Sequence, residues 1–125
     1  MDYQGVIIEE SLENKDFLDT VKIISTKVSQ VTEKHQTPDL AQWTMHTVEI
    51  PEMDAQKIAA ELAGKILNRW YADYKNNEIH YIIFKNKIFR IDRKRKEQYA
   101  EASRYGITLG IPDYQVDFTE NIIEQ

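Results

Sequence analysis

The stretch WYADYKNNEIHYIIFKNKIFRID, residues 70–92, constrains the fold more than any other part of the chain. It reads as three consecutive strands, Trp70–Lys75, Glu78–Phe84 and Lys87–Asp92, joined by Asn76-Asn77 and Lys85-Asn86. Asn tolerates positive φ better than any other residue with a side chain, so both dipeptides suit tight hairpin turns. Tyr, Ile and Phe dominate the strands and fit a pleated, half-buried surface. An antiparallel meander is therefore expected. Along its middle strand Ile79, Tyr81 and Ile83 alternate with His80, Ile82 and Phe84, so both faces are apolar. A strand of that kind has to be covered on both sides, by the last helix, by a pocket or by another subunit.

Around the meander the chain reads as α+β. Gln4–Glu9 is a first strand, and Ser11 opens a short polar helix or turn through Leu18. Val21–Thr32 is a long strand whose apolar residues change face between Ile23 and Ile24, which predicts a bulge or bend. Residues 33–42 form a loop around Pro38, and Trp43–Ile50 is the next strand. Pro51 ends it, and Glu52-Met53-Asp54 begins a helix with acids in the first turn, where they complement the dipole. Ala55, Ile58, Ala59, Leu62, Ile66 and Trp70 recur at helical spacing and predict one apolar stripe. Gly64 interrupts it and suggests close packing on the sheet. A last helix over Arg93–Leu109 carries Tyr99, Ala102, Gly106 and Leu109, with Gly110 placed as its cap. Tyr114–Phe118 is read as an edge strand and 119–125 as a frayed tail. The order of elements fits one domain: a mostly antiparallel sheet with two main helices, consistent with a ferredoxin-like core extended by a β-meander.

Composition narrows the function. The 125 residues contain 42% hydrophobic and 30% charged residues, the balance of a folded domain. There is no cysteine, which excludes disulfides and thiolate chemistry. The N-terminus has no basic region ahead of an apolar run, and no apolar stretch is long enough to span a membrane; a cytoplasmic protein is the expectation. No phosphate loop, GxGxxG, HExxH or Gly-x-Ser-x-Gly elbow occurs, and nothing implies a cofactor.

Three side-chain groups could carry function. His46 and His80 lie on strands, each on an apolar face, and the two faces could be one and the same. A buried imidazole pair could serve as acid and base, with Asp73 orienting one ring; the alternative is core histidines satisfied by backbone or tyrosine. His35 sits in the loop, but its spacing to the other two matches no metal-ligand pattern, so no metal is expected. The second group is aromatic: Trp70, Tyr71 and Tyr81, with Tyr74, Phe84 and Trp43 near them, would suit a ligand or partner surface as well as a thick core. The third is the basic run Lys85, Lys87, Arg90, Arg93, Lys94, Arg95 and Lys96. Seven bases against Asp92 give that window +6, leaving the rest of a chain of net charge −5 at −11. The run invites a nucleic-acid reading, but it lacks the Gly-aromatic signature of the common RNA-binding sheet and straddles a strand end and a helix start.

VIIEESL, WTMHTVEIP, WYADYKN with HYIIFKNKIFRIDR, and YGITLGIPDYQVDF together resemble a family of short, stand-alone prokaryotic proteins of uncharacterised function. The resemblance covers nearly the whole chain. It implies a free-standing cytoplasmic domain and brings no activity, substrate or site residue. The leading expectation is a domain that binds a small molecule or a protein partner, including a second copy of itself, through the aromatic and histidine-bearing sheet face. An enzyme using His46 and His80 is the alternative, and a nucleic-acid binder using residues 85–96 is a third reading.

Overall fold

The computed structural model describes residues 1–30, 42–111, 115, 116 and 118. Its strands are β1 (Tyr3–Ile8), β2 (Lys22–Gln30), β3 (Gln42–Ile50), β4 (Tyr71–Lys75), β5 (Ile79–Phe84) and β6 (Lys87–Asp92). They form one sheet in the order β2-β3-β1-β4-β5-β6, antiparallel at every neighbour. The fold class is α+β. The first four strands lie as 2-3-1-4, the arrangement of a ferredoxin-like sheet, and β5 and β6 extend it beyond β4. Between β1 and β2 the helix of that fold is replaced by 3-10 turns at Glu9–Ser11 and Lys15–Thr20.

The two main helices lie on opposite faces. α1 (Ala55–Lys65) packs Ile58, Ala59 and Leu62 with Phe17 and Leu18 of the 3-10 turns onto Ile7, Val48, Tyr74, Tyr81 and Ile83. α2 (Lys96–Thr108) packs Tyr99, Ala102 and Gly106 onto Ile82, Phe84 and Ile91. Ile111, Val116 and Phe118 return to the same cluster. The double-sided strand β5 is thus covered by a helix on each side. Among the described residues no helix is long and apolar enough to cross a membrane.

Several boundaries differ from the sequence reading, each for a local reason. α1 stops at Lys65, because Ile66 turns to an extended conformation and pairs with Leu12. Trp70 therefore leaves the helical stripe; it lies in the loop ahead of β4, after Arg69 at φ 71. α2 begins at Lys96 instead of Arg93. Asp92 Oδ1 accepts from the Lys94 amide at 3.0 Å, and the Arg95 amide bonds the Asp92 carbonyl at 2.9 Å. This turn holds Arg93, Lys94 and Arg95 ahead of the helix; Arg95 is its N-cap and Lys96 its first residue, so positive charge stays at the positive end of the dipole, where Glu97 in the first turn offsets part of it. The two hairpins use Asn in different ways. Asn86 adopts φ 58, whereas Asn76 uses its side-chain oxygen to accept from the Glu78 and Ile79 amides, an Asx turn. The register of β2 on β3 shifts between Ile23 and Ser25, which is the bulge between the two apolar faces. Gly110, at φ 90, ends α2 in a Schellman motif, with Gly110 N–H on Ile107 O and Ile111 N–H on Gly106 O. Gln115, Val116 and Phe118 are not in a strand. The loop around Pro38, Tyr114 and the tail 119–125 lie outside the described residues.

Gly5 is where β1 lies against β4. It pairs with Tyr74, and a Cβ there would come within 1.9 Å of the Asp73 carbonyl oxygen and 2.5 Å of the Tyr74 Cα. The Tyr74 Cβ would lie 2.7 Å from it, and the Tyr74 hydroxyl donates to the Ala55 carbonyl at the start of α1, 2.5 Å away. Gly64 is the opposite case, since nothing lies within 4 Å of a Cβ built there, so close packing is not its role. Gly5→Ala should cost about 3 kcal/mol or more, as an overpacked core does. Gly64→Ala should stabilise by roughly 0.5–1 kcal/mol through helix propensity alone. Urea unfolding of the two variants beside the parent chain checks both.

Candidate functional site

Strand alternation and register decide which side chains meet. Ile7 pairs with His46 and belongs to the α1-side core, so His46 points to the α1 side. His80 pairs with Lys75 and Ile91 and points to the α2 side, with Ile82 and Phe84. The two imidazoles are on opposite faces of the sheet and share no site. Tyr81 is also on the α1 side, buried against Tyr3 and Tyr74 with ring centroids 5.4 and 5.3 Å away. Its hydroxyl meets Gln56 Oε1 and Arg90 Nε, each at 3.3 Å, so it belongs to the core and not to a site with Trp70 and Tyr71.

On the α2 side, α2 lies over β5 and β6, and a cavity of about 310 Å³ opens beside it over β1 and β4. Its floor is Val6, Ile8 and Asp73, its walls are Trp43, Trp70 and Tyr71, and Arg69 and Gln115 complete the lining. Asp73 and Tyr71 alternate along β4 onto this face. Trp43 reaches it from β3, and its ring lies 5.4 Å from that of Trp70 at 60°. Tyr71 is held edge-on to Phe118, with centroids 5.2 Å apart. Burial pushes the Tyr71 hydroxyl far above the ordinary phenol value, and the nearby Asp73 charge adds to this.

Behind the cavity runs a buried polar chain. Asp73 Oδ2 is 2.7 Å from His80 Nε2, and His80 Nδ1 is 2.9 Å from the Tyr99 hydroxyl on α2. His80 is fully buried, whereas a quarter of the Asp73 side chain is exposed. The carboxylate only accepts, so Nε2 carries the proton that joins the ring to Asp73, and Nδ1 pairs with the Tyr99 hydroxyl. Burial raises the Tyr99 hydroxyl above its ordinary value and keeps it protonated, while the Arg93 guanidinium beside it pulls the other way. The chain resembles a nucleophilic triad in order only, because Tyr99, which carries its terminal hydroxyl, is 1% exposed and cannot meet a substrate. Asp73 is the one end that opens outward, as a carboxylate held in place by an imidazole N–H. Its second oxygen makes no hydrogen bond among the described residues.

His46 has a different surrounding. Its Nδ1 is 2.8 Å from Thr26 Oγ1 and its Nε2 is 3.0 Å from Glu9 Oε1. The adjacent Glu10 carboxylate accepts from the Thr44 amide at 2.7 Å and the Thr44 hydroxyl at 2.8 Å. These bonds clamp the first 3-10 turn to β3. The hydrogen bond from His46, aided by Lys15, holds the Glu9 carboxyl below its ordinary value.

The basic run is dispersed. Lys85 Nζ meets Glu13 Oε1 at 2.9 Å and the Gly64 carbonyl at 2.8 Å. Lys87 lies 5.3 Å from the centre of the Phe89 ring on the α2 side, and Arg90 faces the α1 side. Arg93 donates to the Asn76 carbonyl, and Arg95 approaches Asp92 at 3.8 Å. Lys94 and Lys96 are exposed. These charges do not share one face. His35 lies outside the described residues, and among the described residues no group of three His, Asp or Glu is placed to hold a metal.

Sequence reasoning placed Trp70, Tyr71, Asp73 and His80 near one another, with Trp43 beside the aromatic group, but missed Arg69, Val6, Ile8 and Gln115 as members of the cavity. Trp43 shows its face by alternation with Met45 and Thr47, yet only the β3-β1-β4 order brings it to Asp73. Arg69 owes its place to a positive-φ turn that no spacing announces. No family model matches the chain, and no curated protein or solved structure matches it.

Two measurements probe these networks. Tyr99→Phe leaves His80 Nδ1 buried without its hydrogen-bond partner and should cost about 1–3 kcal/mol in urea unfolding. Glu9, with a folded pKa below its ordinary 4.5, gives stability that is fully present above that value and is lost as pH falls through the depressed folded one. The stability difference between the parent chain and Glu9→Gln should therefore be constant above about pH 5 and shrink as the pH falls below about 4.5, as read by thermal unfolding across pH.

Proposed function

We propose that the protein is a small-molecule-binding domain that takes a compact organic ligand into the cavity between Trp43, Trp70, Tyr71 and Asp73. The observation that carries this reading is convergence: the chain has two tryptophans, and both line the same cavity as a carboxylate anchored from behind by a buried histidine. A volume of about 310 Å³ is at the small end of ligand pockets, and apolar walls with a few fixed polar groups are their usual composition. Aromatic walls contribute large contact area with few rotors to freeze.

Acid–base catalysis by His46 and His80 is not the reading this geometry favours, since the rings lie on opposite faces and His80 is reached only through Asp73. A nucleic-acid surface is disfavoured by the dispersal of the 85–96 charges over two faces and several protein partners.

Because both tryptophans line the cavity, intrinsic fluorescence reports occupancy without a label. A fragment library titrated against the full chain should yield compounds that shift or quench the emission. Trp70→Ala, with folding verified by circular dichroism, should weaken any such compound at least about tenfold, the cost expected for a wall aromatic. A library without a single saturable response, or hits indifferent to Trp70→Ala, would sink the proposal.

A further inference from the structure

Two opposite charges border the cavity without neutralising each other. Arg69 and Asp73 both line it, yet no ion pair joins them, although other described pairs with N···O separations up to 3.8 Å do form. Each is held by something else. Arg69 Nη2 donates to the Gly110 carbonyl at 3.3 Å, in the turn that ends α2, and its guanidinium packs beside the Gly110 Cα. Asp73 is fixed through Oδ2 by His80. Each keeps capacity. A guanidinium has five N–H donors, of which Arg69 uses one among the described residues, and the second oxygen of Asp73 has no protein donor among them.

We infer that the ligand class of this cavity is a zwitterion bearing a planar apolar group, an aromatic α-amino acid or a close analogue, with its ammonium on Asp73 and its carboxylate on Arg69. This rests on the ligand-binding reading above. A simple amine would gain Asp73 and the faces of Trp43 and Trp70, but Arg69 would repel it. A simple acid would gain Arg69 as a forked donor to its carboxylate, but would bring a second carboxylate toward Asp73. A neutral ring would strip water from Asp73 and put no cation in its place, which is costly for a half-buried carboxylate. Only a ligand carrying both charges satisfies both groups, while its ring takes the wall that the two tryptophans offer.

The test is calorimetric titration of the full chain with three probes that share one ring: L-phenylalanine, phenethylamine and 3-phenylpropionate. L-Phenylalanine is expected to bind at least tenfold tighter than either singly charged probe. Arg69→Gln should bring L-phenylalanine down to the level of phenethylamine and leave phenethylamine equal or better. Asp73→Asn keeps an acceptor for His80 and should bring L-phenylalanine down to the level of 3-phenylpropionate. Phenethylamine binding as tightly as L-phenylalanine, indifferent to Arg69→Gln, would overturn the zwitterion and leave a cation site in place. The three probes failing while fluorescence fragments still respond to Trp70→Ala would overturn the inference and spare the ligand-binding reading. Failure of probes and fragments alike would remove both.

Discussion

Strand β5 is the element on which the rest of the structure depends. Ile82, Ile83 and Phe84 are fully buried and belong to two different cores, one under each helix. Each such side chain contributes on the order of 1.5–3 kcal/mol when removed from water, and no single helix can cover both sets. The chain therefore needs a layer on either face of the sheet. α1 comes from the crossover between β3 and β4, and α2 follows β6 and folds back. Because α2 lies over β5 and β6, the neighbouring surface of β1 and β4 on that side is left beside it, and there the cavity forms.

The same two-sidedness accounts for the polar chain. His80 occupies a position in β5 that must be buried, and an imidazole in an apolar layer is tolerable only if both nitrogens are matched. Asp73 supplies one partner from the neighbouring strand and Tyr99 the other from the covering helix. The bonds thus tie sheet to helix and fix the Asp73 carboxylate where it meets the cavity. One arrangement serves packing and presentation together.

Much of the architecture was legible from alternation and turn chemistry. The meander, the strand Trp43–Ile50, the bulge near Ile24 and the two helices all follow from spacing and from Asn, Pro and Gly at turns. What was not legible depends on long-range order. The spacing of Ile66 and Trp70 continues the helical stripe, and only the pairing of Ile66 with Leu12 shows that the helix has ended. His46 and His80 both alternate with apolar residues, and a face assignment within one strand says nothing of the face in another until the register is known. The cavity itself is assembled from β1, β3, β4 and two loops, none of which carries a recognisable motif alone. Local chemistry is therefore readable in the residues, and the meeting of distant strands is not.

The missing side chain at Gly5 has a consequence for how the sheet chooses its pairing. A strand that slips by two residues keeps its inward and outward faces, so hydrophobic pattern alone does not forbid the error. In β1 such a slip would bring Tyr3 or Ile7 opposite Tyr74, where the fold has room only for a backbone. The central pairing is thus keyed by a vacancy: a bulky ring on one strand finds the single gap on the other. The residue that contributes least surface to the core is the one that selects among its alternative alignments.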